Sequence, residues 1–324
     1  MIFYILATGL VGCGDIERHS PEPKKLRIAV IPKAESHIFW KTVQAGALKA
    51  TQDMNCEVIW KGPDKEDDRN SQVQTVQNFT VKKVDAIALA PVDGDVLQKS
   101  AEHAVEAGIK VVIFDSALKS GDRMESFVAT DNYKGGQLCG EELALQLGGQ
   151  GKVIMLRMQE GSLSTTLREQ GFLDALKEKG PLVVLLSVDV YGGSSVGSAQ
   201  KKAQLLLSKY ADQVTGIFCP NETTTEAMLL TLKQMGLAGK VKFVGFDCNP
   251  AILTAIRLGE INASASQSPF NMGYLSVATA YKALRGEPFE KRVDTGVTLV
   301  KRDNIDSPHI QAIVNPDLSK VVKF

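Results

Sequence analysis

Beyond its first dozen residues this chain of 324 has no apolar run long enough to cross a bilayer. It has no excess charge either. Lys+Arg and Asp+Glu each total 37, so no basic field for nucleic acid exists and no nucleic-acid partner is expected. Histidine occurs four times (His19, His37, His103, His309), without metal-ligand spacing. The five cysteines contain no Cys-x-x-Cys, which removes the common zinc and thiol-redox motifs. No Gly-x-Gly-x-x-Gly follows an apolar run, which argues against a dinucleotide enzyme; neither cofactor nor metal is expected. Tryptophan occurs only twice, and no Pro/Gly/Ser-rich stretch divides the chain, so any link between domains is short and structured.

What is there is an ordinary globular composition, 44% hydrophobic and 23% charged, and enough chain for two domains with substantial cores. The N-terminus stands apart. Residues 2–12 are almost wholly apolar and lead into Leu10-Val11-Gly12-Cys13, a stretch suited to the apolar part of a signal peptide. Leu-Val-Gly-Cys resembles the bacterial lipobox, which implies lipidation at Cys13 and a periplasmic or extracytoplasmic, lipid-anchored protein. No Lys or Arg precedes the run, so a start upstream of Met1 is expected. The polar, Pro-containing residues 15–23 read as a tether.

Past the tether, short apolar runs near 27–32, 57–60, 85–90, 110–115, 152–157, 182–188, 215–219, 241–246 and 261–266 alternate with helix-length segments. Val73, Val76, Phe79 and Val84, and again Leu138, Leu143, Leu145 and Leu147, carry helical spacing. The pattern predicts α/β architecture with doubly wound parallel sheets. It breaks around residues 127–132, after which Gly135-Gly136 opens a second series.

The two series share an ending. Ala90-Pro91 closes one run and Phe114-Asp115 the next; in the second half Pro220-Asn221 and Phe246-Asp247 do the same. Ligands of open parallel sheets bind at the carboxyl ends of strands, so Asp115 and Asp247 suggest two lobes facing one ligand. Phe39-Trp40 follows the first run on that edge, either as a core pair or as rings for a sugar face or flat ligand. Arg168, after the run at 152–157, can clamp hydroxyls or a carboxylate, pair with Glu169, or lie on a solvated helix face. Cys219 and Cys248 sit at strand ends that could be neighbours, and an oxidising compartment would permit a disulfide between them.

Gly193-Ser194-Ser195-Val196-Gly197 matches the nucleophile elbow of α/β-hydrolases, with Asp247 and His309 following in the required order. The loop lies several residues past its strand, no His-Gly-Gly-Gly segment exists, and His309 is in a polar tail, so the hydrolase reading is remote. Gly148-Gly149-Gln150-Gly151-Lys152 lacks phosphate-loop spacing and reads as a turn.

Taken together, these residues resemble the periplasmic sugar-binding proteins of the ribose-binding type, solute receptors of ABC importers, from Leu26 to about Val300. The resemblance implies the type I periplasmic-binding-protein fold, two lobes joined by a three-crossing hinge. It places ligand contacts at Phe39, Trp40, Asp115, Arg168, Asn221, Asp247 and Gln267. Hinge crossings correspond to Thr130-Asp131-Asn132, Gln267-Ser268-Pro269 and the vicinity of Val297, with lobes of 26–129 plus 268–296 and 130–267 plus 297–324, after a signal and tether over 1–25. This chain departs from ribose receptors at Ala90-Pro91, where they carry Asn-Pro, and at Asp115-Ser116, where they carry Asp-Arg. The pocket is therefore read as other than a ribose pocket, with His37, Asp93 and Tyr191 as further candidates.

The function so implied is capture of a sugar or polyol and delivery to an ABC permease by a monomer that meets the membrane only through its lipid anchor. A sensor serving a chemoreceptor or histidine kinase is the alternative. A repressor of the same fold would need a DNA-binding headpiece, and only about 25 residues precede the first strand.

Overall fold

The computed structural model describes residues 25–316. The expected signal, Cys13 and the tether lie outside the described residues. Two six-stranded sheets organise the rest. The first takes β1 (Leu26–Ile31), β2 (Cys56–Trp60), β3 (Ala86–Leu89), β4 (Lys110–Phe114), β5 (Ser126–Ala129) and, from far along the chain, β11 (Arg292–Asp294). Its order is β11-β5-β4-β3-β1-β2, parallel throughout. The second takes β6 (Gln150–Arg157), β7 (Leu182–Tyr191), β8 (Gly216–Phe218), β9 (Lys242–Phe246), β10 (Ala263–Gln267) and β12 (Val297–Lys301), in the order β12-β10-β9-β8-β6-β7. Here only β12 runs antiparallel to its neighbour.

Strand side chains alternate between faces, and in the inner strands both faces are covered, whereas edge strand β7 leaves Leu182, Val184 and Leu185 exposed. Ile28 and Val30 of β1 enter one core with Trp40 and Phe114, while Ala29 and Ile31 enter another with Val76 and Leu97. In the second sheet Ile154 and Leu156 point to one side, Val153 and Met155 to the other. That double coverage is why the inner strands read as continuous apolar runs and not as alternating ones.

The helices fill the gaps between strands: α1 (Ile38–Asp53), α2 (Arg69–Val81), α3 (Gln98–Glu106), α4 (Asn132–Gln146), α5 (Leu163–Lys179), α6 (Val196–Tyr210), α7 (Glu222–Gln234), α8 (Pro250–Leu258), α9 (Pro269–Arg285) and α10 (Pro308–Val314). The chain crosses between sheets three times: from β5 into α4, from β10 into α9, and from β11 to β12. Phe127-Val128-Ala129, where the sequence pattern breaks, is itself the last stretch of β5. Of the residues spaced as a core face, Leu143 is buried, with Cys139 and Ala144 beside it, while Leu145 is 72% exposed. Cys56, Cys139, Cys219 and Cys248 are all free thiols, so Cys219 and Cys248 are not bonded.

Candidate functional site

The carboxyl ends of both sheets meet across a cleft lined by Lys33, His37, Phe39, Trp40, Glu66, Asp115, Ser162, Ser164, Thr165, Arg168, Asn221, Glu222, Thr223, Asp247 and Gln267. From the first sheet, β1 runs out at Ile31 and the next turn delivers Lys33, which is 4% exposed. His37 is the N-cap of α1 but makes no capping bond with its side chain, and its ring stands half-buried at the cleft. Phe39 and Trp40 meet edge to face at 4.9 Å. Trp40 is core as well as cleft: it packs against Phe114, and its Nε1 donates to Glu66 Oε1 at 2.5 Å. Phe39 keeps a half-buried face on the cleft.

Asp115 directly follows β4 and is buried, with a left-handed backbone (φ 61°). Lys33 Nζ stands 2.7 Å from its Oδ2 and donates to Ser164 Oγ at 3.0 Å. Ser164 belongs to α5, on the second sheet, so this ammonium bridges the two halves.

Arg168, on α5, is 2% exposed and fully engaged with the site. Its Nε donates to Asn132 Oδ1 at 2.8 Å and its Nη1 to the Pro220 carbonyl at 3.0 Å. The guanidinium lies 3.9 Å from the Phe246 ring centroid and 3.9 Å from Asp247 Oδ2. Glu169 is not its partner, because that carboxylate pairs with Arg157 at 2.6 Å. Asn221 caps α7, its Oδ1 accepting from Thr224, which leaves the amide Nδ2 for the cleft. Asp247 follows β9, again left-handed (φ 67°), and accepts from Gln267 Nε2 at 2.8 Å and from the Glu222 backbone N–H at 3.2 Å. Gln267 Oε1, buried at the end of β10, has no partner within the protein. An acceptor so placed can take a donor from a water or a ligand.

Charge in the cleft is unbalanced. Lys33 and Arg168 face Asp115 and Asp247, while Glu66 and Glu222 add two further carboxyls. Burial, reinforced by the neighbouring Asp247 carboxylate, pushes Glu222 up to about 8. Burial also raises Asp247, against the pull of the Arg168 guanidinium. Among the described residues no group of His, Cys, Asp and Glu is arranged to hold a metal.

Two sequence candidates lie elsewhere. Asp93 sits at the rim, where its Oδ2 accepts from Arg69 Nε at 2.8 Å and Arg69 Nη2 reaches the Glu160 carbonyl of the other half at 2.8 Å. Although burial works the other way, the backbone N–H of Val96 and the Arg69 guanidinium hold Asp93 below the usual carboxylate range. Tyr191 ends β7 with Arg157 stacked 4.3 Å from its ring centroid, outside the lining residues. The hydrolase elbow is a helix cap: Ser195 Oγ accepts from the Ser198 N–H and donates to Ser198 Oγ, while His309 is exposed on α10. Lys33, Glu66, Ser164 and Glu222 were not singled out from sequence. Lys33 alone offered a signal, as a lone cation closing an apolar run on the strand edge that carries the aspartates.

Further bonds join the halves around the rim: Gly94 N–H to the Gly161 carbonyl at 3.2 Å and Gln159 Nε2 to the Glu66 carbonyl at 2.9 Å. The cleft is thus closed, with charged groups from both sheets facing inward.

This arrangement has known counterparts. A family model described as a periplasmic binding protein domain matches residues 28–288. A D-ribose/D-allose-binding protein from Pseudomonas aeruginosa is 32% identical over 302 residues, covering 87% of this chain and 91% of that protein. The ribose import binding protein RbsB of Bacillus subtilis is 26% identical, covering 87% and 89%. Among solved structures, an ABC transporter solute binding protein from Agrobacterium vitis with bound D-fucose superposes with a TM-score of 0.86 at 34% identity, covering 89% of this chain and 99% of that one. A carbohydrate transporter solute binding protein from Agrobacterium radiobacter, in complex with D-arabinose, gives 0.86 at 29%, covering 90% and 99%. With the family model matching residues 28–288 and relatives above 30% identity covered almost end to end, the chain belongs to the periplasmic binding protein family.

Proposed function

We propose that this protein captures a sugar or sugar-like polyol between its two sheets and presents the closed complex to an ABC importer. The observation that carries the reading is the convergence of buried Asp115 and Asp247, one from each sheet, on a single cleft with Arg168 and an unpartnered Gln267 carbonyl. A polyol gives up many water hydrogen bonds on binding, so its site needs fixed, charged partners for each hydroxyl. Asp115, Asp247 and Gln267 Oε1 accept from hydroxyls; Arg168, Lys33 and the Asn221 amide donate; Phe39 covers the C–H face, with His37 at its side and Trp40 behind it. Residues 26–129 with 268–296 act as one jaw and 130–267 with 297–316 as the other. Neither jaw alone satisfies the ligand, so binding favours closure. The ligands named for the relatives, ribose, allose, fucose and arabinose, all fall in this class.

In this reading the protein works outside the cytoplasm, lipid-anchored at Cys13, as a binding protein and not an enzyme. Radiolabelled palmitate incorporation that Cys13→Ala abolishes would support the anchor; unchanged labelling would remove it.

A thermal-shift screen against pentoses, hexoses, deoxy sugars and polyols tests the ligand class, because a ligand of the native state raises apparent stability by mass action. At least one free sugar should raise the transition, and Asp247→Ala should abolish that shift. No shift with any of them sinks the proposal.

A further inference from the structure

A second chamber adjoins the charged cleft. Phe39, Glu222, Asp247 and Gln267 line both, but beyond them the character changes: Ile38, Pro250, Pro269, Ile313 and Val314 form the walls. The first sheet's helix α1, the hinge segment at Pro269 and the last described helix, α10, border it, and it stays partly open to solvent. Its free volume is about 160 Å3, against about 30 Å3 left between the charged groups of the closed cleft. A cavity of roughly 150 Å3 with apolar walls accommodates a benzene ring. The space already formed in the closed protein therefore lies beside the two aspartates and not between them. A ring held by Asp115 and Asp247 alone would leave that space unfilled.

We infer that the ligand is a sugar bearing an apolar substituent of about one ring in size, a glycoside with a small aglycone, and that this chamber receives the substituent while the glycone sits at the junction, against the Asp247, Glu222 and Gln267 groups that line both spaces. The inference rests on the sugar-binding reading and narrows its ligand. Linear continuity supports it: the shared carboxylates and the Gln267 carbonyl face hydroxyls at the junction, and the apolar walls begin where those groups end. Beyond the shared groups the polar lining is Thr42, Ser266 and Asn315, set among Ile38, Pro250, Pro269, Ile313, Val314 and Pro316, a predominantly apolar wall that suits an aglycone.

Isothermal titration of the whole protein with each free sugar that raises its melting transition, then with the methyl and phenyl glycosides of that sugar, provides the test. The expected result is a phenyl glycoside bound at least about ten-fold more tightly than the free sugar, from apolar area removed from water. Ile313→Trp, which fills the chamber from α10, should abolish that gain and leave the free sugar within about two-fold of its wild-type affinity. Cys248→Leu, a smaller filler that also lines only this chamber, gives the same readout if the tryptophan variant fails to fold. Free sugars that bind while every glycoside binds more weakly would overturn the inference and leave the sugar reading standing. A glycoside gain that survives both variants would overturn the assignment of the chamber. Failure of every sugar and glycoside to bind overturns both.

Discussion

Asp115 and Asp247 occupy equivalent places in opposite sheets: each directly follows a strand, and each takes a left-handed backbone, φ 61° and 67°. Among the described residues only Lys83 shares that geometry without being glycine. Each N–H is held by the neighbouring strand, Asp115 to the Val128 carbonyl at 3.1 Å and Asp247 to Ala265 at 2.7 Å, so the sheet fixes the turn that aims the carboxylate. A left-handed conformation costs a residue with a Cβ about 1 kcal/mol, and such strain persists where surroundings over-determine it. Alanine and glycine should then separate strain from chemistry. Asp247→Ala and Asp247→Gly both remove the carboxylate and should lose ligand equally, by about a hundred-fold or more. The glycine variant should nonetheless be the more stable of the two by about 1 kcal/mol in urea denaturation. Equal stabilities would mean the backbone there carries no strain.

The ion pair of Lys33 and Asp115 is the most deeply buried in the cleft, both side chains 4% exposed. Removing one partner strands the other charge, so Lys33→Met should destabilise by about 3 kcal/mol. The double variant Lys33→Met with Asp115→Asn should recover at least half of that loss, a coupling a double-mutant cycle reads directly. Because Lys33 also donates to Ser164 across the cleft, the single variant should open more readily in small-angle scattering. Additive losses in the cycle would show that the two charges do not depend on one another.

The inner strands of both sheets were legible because they are buried on two faces and read as unbroken apolar runs: Ala86–Leu89 and Lys242–Phe246 differ from the sequence expectation by a residue or two. Short β5 and β11 were not, since Ser126 and the exposed Arg292 interrupt the apolar pattern at the sheet's edge. The strand-end aspartates announced themselves through the repeated Phe-Asp. Glu222 did not, because a glutamate after a helix-capping Asn is ordinary in sequence and becomes unusual only when the fold turns the α7 N-terminus toward Asp247. Asp93 had the right position along the chain, yet Arg69 draws it to the rim. A partner 24 residues away is invisible to a motif.

Glu222 makes stability depend on pH in a defined direction. Its folded pKa, about 8, lies above its ordinary value of 4.5, so between those limits the folded state holds a proton the unfolded state has released. Stability contributed by the neutral carboxyl is complete below about pH 4.5 and is lost as pH rises toward 8, by an amount on the order of 5 kcal/mol. Glu222→Gln should match the wild type near pH 5 and exceed it near pH 9 when both are unfolded in urea. A variant whose stability parallels the wild type across that range would show that Glu222 is already ionised in the native protein.

The seat of Arg168 depends on a residue with no side chain. At Gly136 of α4 an added Cβ would lie 2.0 Å from the Arg168 carbonyl oxygen, and at Gly171 of α5 one would lie 2.1 Å from the Tyr133 carbonyl. The two helices therefore touch backbone to backbone, and this contact sets how far Arg168 reaches toward Asn132, Pro220 and Asp247. Gly136→Ala must push α5 away, at about 2 kcal/mol in stability. The guanidinium moves with the helix, so affinity for any bound sugar should fall at least about ten-fold, since misplacing a fixed donor leaves its partners unpaired. Gly197→Ala, in α6, where no atom lies within 4 Å of the added carbon, should change neither quantity by more than about 0.5 kcal/mol. If Gly136→Ala weakened folding and left affinity intact, Arg168 would be held by its own hydrogen bonds and not by the helix contact beneath it.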